Sequence, residues 1–374
     1  MQAIAAVLAQ FDRPLDIEQI DIPALGPGQA LVAVEAAGVC GSDVHMWRGL
    51  DPRTPLPMIL GHEGVGRIVE VAGQRRDVHD QPVAVGQRVL WERGVTCGHC
   101  AYCAAFHEPA LCPSRWVYGI HHSRRTPPHL NGAYASHIIL DAQTALIPLA
   151  DEEDPATFVA ASCSGATAAH GMALTPAAIG ATVVIMGPGP LGAFAAALAR
   201  AQGAEHVVVI GGTAERLAQC ARLGATTLLD RHELDEAQRQ EAVLALSHGR
   251  GADLVVEASG SVAAAQEALN LVRPGGAVSL VGFGTPVGEM SLAPFEALVR
   301  KNVRLQGVWV SDLRHTLQAV SLVRQQPEAF AGLVSHRFPL EQATVALRAV
   351  EQREAMKAVI EPALDTVEGD VIHV

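Results

Sequence analysis

Positive charge is what this chain is short of. Its 374 residues carry 27 Lys and Arg against 39 Asp and Glu, a formal net charge of −12 at pH 7. Nucleic acids and anionic membranes are gripped by clustered Lys and Arg, so neither is an expected partner. Uninterrupted apolar runs are missing as well. From Pro155 to Ala199 there is no Asp, Glu, Lys or Arg, yet "GMALTPAAIG" and "MGPGPLG" break the stretch with Gly and Pro. It reads as a buried strand–turn–helix rather than a membrane span. The start, "MQAIAAVLAQFDRPLD", has no basic segment ahead of an apolar one, so no signal peptide is expected and the cytoplasm is the expected compartment. Internal repeats, coiled coils and low-complexity tracts are also absent from the sequence. "HHSRRTPPHL" reads as an open surface loop with two solvated Arg.

What remains suits an α/β protein of roughly two domains, at about 100–200 residues each. Hydrophobic residues make up 49% and charged residues 18%, enough apolar material for large cores. The seven cysteines are an odd number for a disulfide framework, and cytoplasmic thiols stay reduced. Four of them, Cys97, Cys100, Cys103 and Cys112 in "CGHCAYCAAFHEPALC", are spaced so that successive thiolates turn toward one point. An iron–sulfur cluster or free loop thiols are the alternatives, but a compact four-thiolate loop favours zinc. Such a shell is closed, so this Zn2+ would be structural, with His99 and His107 as loop residues.

A second donor set is dispersed. Cys40 opens "CGSDVHMW" and His62 lies in "GHEGVGRIVEVAG"; with a later thiol they would make a mixed sulfur–nitrogen shell with one open position. Asp43 can orient a ligand histidine, and Ser42 and His45 offer a hydroxyl and an imidazole for passing a proton outward. Farther on, "ATVVIMGPGPLGAFAAALARAQGA" is a β-branched strand, a G-x-G-x-x-G turn and an Ala-rich helix. Gly187 makes the turn, Gly189 lets backbone approach a pyrophosphate, Gly192 packs helix on strand, and Leu191 sits within the turn. "HVVVIGG", "ADLVVEASG" and "GGAVSLVGF" continue the alternation expected of a doubly wound parallel Rossmann sheet.

Taken together, "CGSDVH", "GHEGVG", the four-cysteine loop and the glycine turn resemble the zinc-containing medium-chain dehydrogenase/reductase family, the alcohol and polyol dehydrogenases. The resemblance runs from "IDIPALGPGQALVAVEAAGVCGSDVH" to "KAVIEP". It implies a β-rich, GroES-like catalytic domain over 1–155, a Rossmann domain over 156–312, and a return segment over 313–374 that completes the first; "ALDTVEGDVIHV" would be an edge extension. It also implies a homodimer or homotetramer, and one catalytic and one structural Zn2+ per chain. Cys163 in "AASCSGATAAHG" occupies the third-ligand position, and Glu63 is a neighbour of the ligands or a transient fourth one. Thr167 and Val281 fall where the family touches the nicotinamide. Cys220, in "RLAQCARLGA", reads as core.

Gly211 stands where the family commonly has the Asp that marks NAD specificity. Gly212 and Thr213 are left to hold the ribose, with Arg216 nearby. Both NAD and NADP stay open; no basic residue adjoins Gly211 or Gly212 along the chain, which tips the balance to NAD. The implied reaction moves hydride between an alcohol or ketone and nicotinamide, with Ser42 and His45 relaying the proton. "CGSDVHMW" is similar to the polyol-dehydrogenase form, but Cys163, Met46, and Trp309 with Val310 replace an acid, a hydroxyl-bearing aromatic and a hydroxyl-binding Arg. A bulky apolar or cyclic secondary alcohol is therefore expected, as in the hydroxycamphor-type branch, with Trp47, Trp91, Trp116, Phe283 and Trp309 as candidate walls. A polyol dehydrogenase is the alternative, and a non-catalytic nucleotide-binding sensor the alternative of another class. Arg93 reads as solvent-exposed, although at the pocket it would favour an anionic substrate.

Overall fold

A computed structural model describes residues 1–363 and 372–373. It divides into two units. One comprises Met1–Cys163, Asp312–Val323 and Ala331–Val374; the other comprises Ser164–Ser311 and Arg324–Phe330.

The first unit is built on β-structure. Its main sheet has the order Leu146–Leu149, Arg88–Trp91, Glu63–Val71, Ala30–Val39, Lys357–Ile360, Val334–Phe338 and Ile372–His373, with His137–Leu140 also pairing to Ala30–Val39. The strand Ala30–Val39 is central and almost wholly buried, which its Ala- and Val-rich sequence allows. Lys357–Ile360 pairs antiparallel to it, so the chain's last apolar strand returns to the first unit. A smaller sheet joins Asp16–Asp21, Gln2–Leu8 and Met58–Ile59. Trp47, Trp91, Tyr118, Tyr134 and Phe338 are among its largest fully buried side chains. The edge extension expected over residues 363–374 lies mostly outside the described residues; within it, Ile372–His373 pairs antiparallel to Val334–Phe338.

The second unit is a parallel six-stranded sheet in the order Thr227–Asp230, His206–Gly211, Thr182–Met186, Ala252–Glu257, Val272–Leu280 and Arg304–Gly307. That is the doubly wound order, with its switch point beside Thr182–Met186. All five residues of Thr182–Met186 are buried, because helices cover both faces of such a sheet. The helix Pro190–Ala201 is buried from Gly192 to Ala199, and its Ala content lets it pack closely. Residues 324–330 join this unit through Gln219, whose side-chain amide donates to Ala329 O (2.5 Å), and through Phe330 against Phe194 (4.6 Å between ring centroids). Cys220 is fully buried, and burial pushes its thiol up to about 12. None of the described helices is long and apolar enough to cross a membrane.

Candidate metal centre and cofactor residues

Cys40 caps the short helix Gly41–Trp47 in extended conformation, and its N–H donates to Asp43 Oδ2 (2.8 Å). Asp43 is thereby fixed one turn into the helix, fully buried. Its Oδ1 lies 3.2 Å from His62 Nδ1, and Tyr134 donates its hydroxyl to Oδ2 (3.2 Å). Asp43 thus orients the imidazole, leaving Nε2 to face Cys163 Sγ at 3.4 Å. Cys40 Sγ and Cys163 Sγ are 4.0 Å apart. The Cys163 hydrogen bond, against burial and aided by His62, holds the Cys40 thiol well below its usual range.

The ligand atoms of Cys40, His62, Glu63 and Cys163 all lie within 4.8 Å of one another. Two sulfurs, one imidazole and one carboxylate oxygen at that separation form a donor set that fits zinc. Glu63 is not idle in it. Lys357 donates to both its oxygens, at 3.0 and 2.7 Å, and to Val39 O at 3.2 Å. Both residues are buried. Gly38 makes the space, since a Cβ there would overlap the Glu63 carboxylate.

Cys97, Cys100, Cys103 and Cys112 form the other cluster, again with sulfurs within 4.8 Å of one another. A five-residue π-helical turn, Ala101–Ala105, carries Cys103, and Gly98 takes φ +74°, which a side chain disfavours. Backbone N–H groups of His99 and Cys100 lower the Cys97 thiol to about 6, a thiolate-ready setting. His99 Nδ1 lies 2.7 Å from Cys97 O.

Ser42 Oγ donates to Cys40 Sγ (3.3 Å), and both Ser42 and His45, one turn apart, are half-exposed. Met46 and Trp47 on the same helix face inward instead. Both are sealed in the core, where Trp47 Nε1 donates to Arg13 O (2.6 Å). Trp91 is equally sealed, packed where Gly64 leaves room. These three do not serve as pocket walls; their apolar bulk is spent on the first unit's core. Trp116 stacks on His122 (4.4 Å), Phe283 is half-buried, and Trp309 is 45% exposed.

Arg93 overturns its expected exposure. It is 6% exposed, and its Nη1 lies 2.9 Å from Cys163 Sγ. Beside it, the buried Glu92 accepts from Thr316 Oγ1 (2.5 Å). The "HHSRRTPPHL" loop is also less open than expected, because Arg124 pairs with Glu18 and donates its N–H to Pro57 O (2.9 Å). Lys357, Tyr134 and Gly38 were not picked out by the sequence reading. A lone Lys inside the apolar run "KAVI" was the one signal available.

In the second unit, Gly187 takes φ +110° and Gly192 packs so tightly that a Cβ would overlap Gly187 O. Gly189 caps the helix Pro190–Ala201, and no atom lies within 4 Å of where its Cβ would stand. That opening, above the free N–H groups of Pro190–Ala201, fits a pyrophosphate. Leu191 is in the helix's first turn. Thr167 is half-buried on Ser164–Leu174, and Val281 packs against Gly171 of the same helix. Gly211 ends its strand and Gly212 follows it, Thr213 caps Ala214–Arg222, and Arg216 lies in its first turn.

Residues 26–151 match the alcohol dehydrogenase GroES-like domain family, and residues 190–324 the zinc-binding dehydrogenase family. The chain is 32% identical to a 5-exo-hydroxycamphor dehydrogenase of Pseudomonas putida, over 97% of this chain and 99% of that one. It is 28% identical to an L-threonine 3-dehydrogenase of a Chelativorans species, over 96% and 98%. An alcohol dehydrogenase structure from Thermotoga maritima covers 96% of this chain and 99% of its own, with a TM-score of 0.94 and 43% identity.

Proposed function

Because the chain belongs to the zinc-dependent medium-chain alcohol dehydrogenase family, and so is an NAD(P)-dependent oxidoreductase acting on CH–OH, we propose that its substrate is a bulky, apolar or cyclic secondary alcohol. The observation that carries the reaction is the donor set of Cys40, His62 and Cys163, beside which Lys357 engages Glu63. Three such ligands leave one tetrahedral position for a substrate oxygen. A zinc ion held by Cys40, His62 and Cys163 would supply Lewis acidity toward that oxygen, and a nicotinamide dinucleotide held at the Gly187–Gly192 turn would supply the hydride acceptor.

The protein's own share is placement. Asp43 keeps the His62 ring turned, and Arg93 donates toward Cys163. The half-exposed Ser42 hydroxyl would relay the alcohol proton, taking it as it gives up its own, and His45, one turn on, would carry it outward. The substrate class is supported by the hydroxycamphor dehydrogenase relative and by Trp309 and Val310 at "LQGVWVSDL". One observation favours a second reading. The buried Arg93 guanidinium beside Cys163 suits an alcohol that carries an anionic group, and threonine dehydrogenases are among the relatives.

The test is reduction of NAD+ and NADP+ by the purified protein with borneol, L-threonine and sorbitol in parallel. Turnover of borneol alone supports the first reading. Preference for L-threonine moves the assignment to the anionic class, and preference for sorbitol to the polyols.

A further inference from the structure

The strand His206–Gly211 ends without the carboxylate that binds the ribose 2′-hydroxyl in NAD sites. Gly211 has no room for one, because a Cβ there would meet Pro188 and Leu217. The neighbouring strand ends in Asp230, and the two residues just past it are basic. Thr227–Asp230 runs parallel, with Asp230 in register with Gly211, and the Arg231 N–H donates to Gly211 O (2.7 Å). Arg231 and His232 are thus laid beside Gly212. A Cβ on Gly212 would stand 2.7 Å from Arg231 Nε and 2.6 Å from His232 Nε2. Two basic side chains occupy the space that this glycine leaves.

Both residues are exposed, and among the described residues neither the guanidinium nor the imidazole has a hydrogen-bond or ion-pair partner. Asp230, the nearest acid along the chain, has its Oδ1 taken by the His232 N–H (2.8 Å). Glu215 and Glu233 are exposed. Arg216, in the first turn of Ala214–Arg222, adds a third basic side chain at the same end of the strand, and Thr213 makes no side-chain cap there. Reading along the chain from Gly211 misses this cluster, since the parallel pairing brings in residues from the far end of the next strand.

We propose that Arg231 and His232, across Gly212, form a 2′-phosphate site and that the protein selects NADP(H) over NAD(H). A dianionic phosphate meets a permanently charged guanidinium with a fork of donors, while the nearest acid, Asp230, turns its Oδ1 to the His232 backbone N–H. The inference rests on reading the second unit as the dinucleotide-binding half of a dehydrogenase, but its test needs no substrate.

The experiment is calorimetric titration of the zinc-loaded enzyme with NADPH, NADH, 2′,5′-ADP and 5′-AMP, at two salt concentrations. NADPH should bind about tenfold or more tighter than NADH, as should 2′,5′-ADP relative to 5′-AMP, because charge-assisted hydrogen bonds to one phosphate are added. High salt should narrow both gaps. In the Arg231→Gln/His232→Gln variant the NADPH affinity should fall to that of NADH. Equal or tighter binding of NADH and 5′-AMP would overturn the phosphate site while leaving the dehydrogenase reading intact. Failure of all four to bind would overturn both.

Discussion

At the scale of single residues, the donor set is a buried charge arrangement in which each partner has a cost if removed. Cys163→Ala should abolish alcohol turnover and lower metal content from about two ions per chain to about one, since three ligands become two. Nucleotide affinity should persist, because the glycine turn belongs to the other unit. Full turnover with two ions retained would remove Cys163 from the centre. Lys357 is one of two lysines in the chain and is locked on Glu63, both side chains buried. Lys357→Met leaves a buried carboxylate unpaired, a loss of roughly 3–5 kcal/mol in unfolding free energy. Adding Glu63→Gln should restore much of that, as removing both charges is less costly than stranding one. Denaturant melts of the two single variants and the double variant would read the coupling directly. Arg93→Gln takes a cationic donor from Cys163 Sγ. Loss of a hydrogen bond from a charged donor, about 1.5–3 kcal/mol, should cut kcat/KM roughly ten- to a hundredfold. In cobalt-substituted protein the thiolate charge-transfer band should shift, which a purely structural role would not cause.

At the scale of elements, what the sequence made legible was whatever closes within one element or one turn. The glycine turn could be read because strand, turn and helix are contiguous and each glycine has its own steric reason, as Gly187 and Gly192 do. The four-thiol loop could be read because its spacing is local. Contacts between segments far apart along the chain could not. Lys357 reaches Glu63 across 294 positions, and Arg93 reaches Cys163 across 70. The helix Gly41–Trp47 shows the converse error. Met46 and Trp47 follow Cys40 closely in sequence, yet they lie on the helix face that enters the core, while Ser42 and His45 stay half-exposed. The helix face a residue occupies, not its apolar character, decides whether it can line a pocket. The loop also carries its own prediction. With Cys103→Ser the π-helical turn loses its anchor, so the loop should release its ion and melting should fall by roughly 5 °C or more. The Cys40 cluster shares no residue with the loop and should keep its ion. Metal analysis beside a thermal melt separates the two sites, and loss of both ions would show them to be coupled.

At the scale of the whole molecule, the cysteine clusters and the glycine turn fall on different units, each with its own apolar core. Both cysteine clusters belong to the first, around a core that includes Trp47, Trp91 and Tyr134. The glycine turn and the Arg231 cluster belong to the second, around a core that includes Val184, Val208 and Val255. A ligand that binds only folded protein stabilises whichever cooperative unit holds its site, by about 2.7 kcal/mol at a hundred times its Kd. Chelation should therefore move the urea transition of the first unit to lower denaturant, and saturating nucleotide should move that of the second to higher denaturant. The tryptophans allow the two to be told apart. Trp47, Trp91 and Trp116 lie in the first unit and Trp309 in the second, so a Trp309→Phe variant reports the first unit alone. In that variant the emission midpoint should follow zinc and ignore nucleotide. A midpoint that moved equally with both ligands would mean that the chain unfolds as one cooperative body, with metal and nucleotide binding linked through its stability.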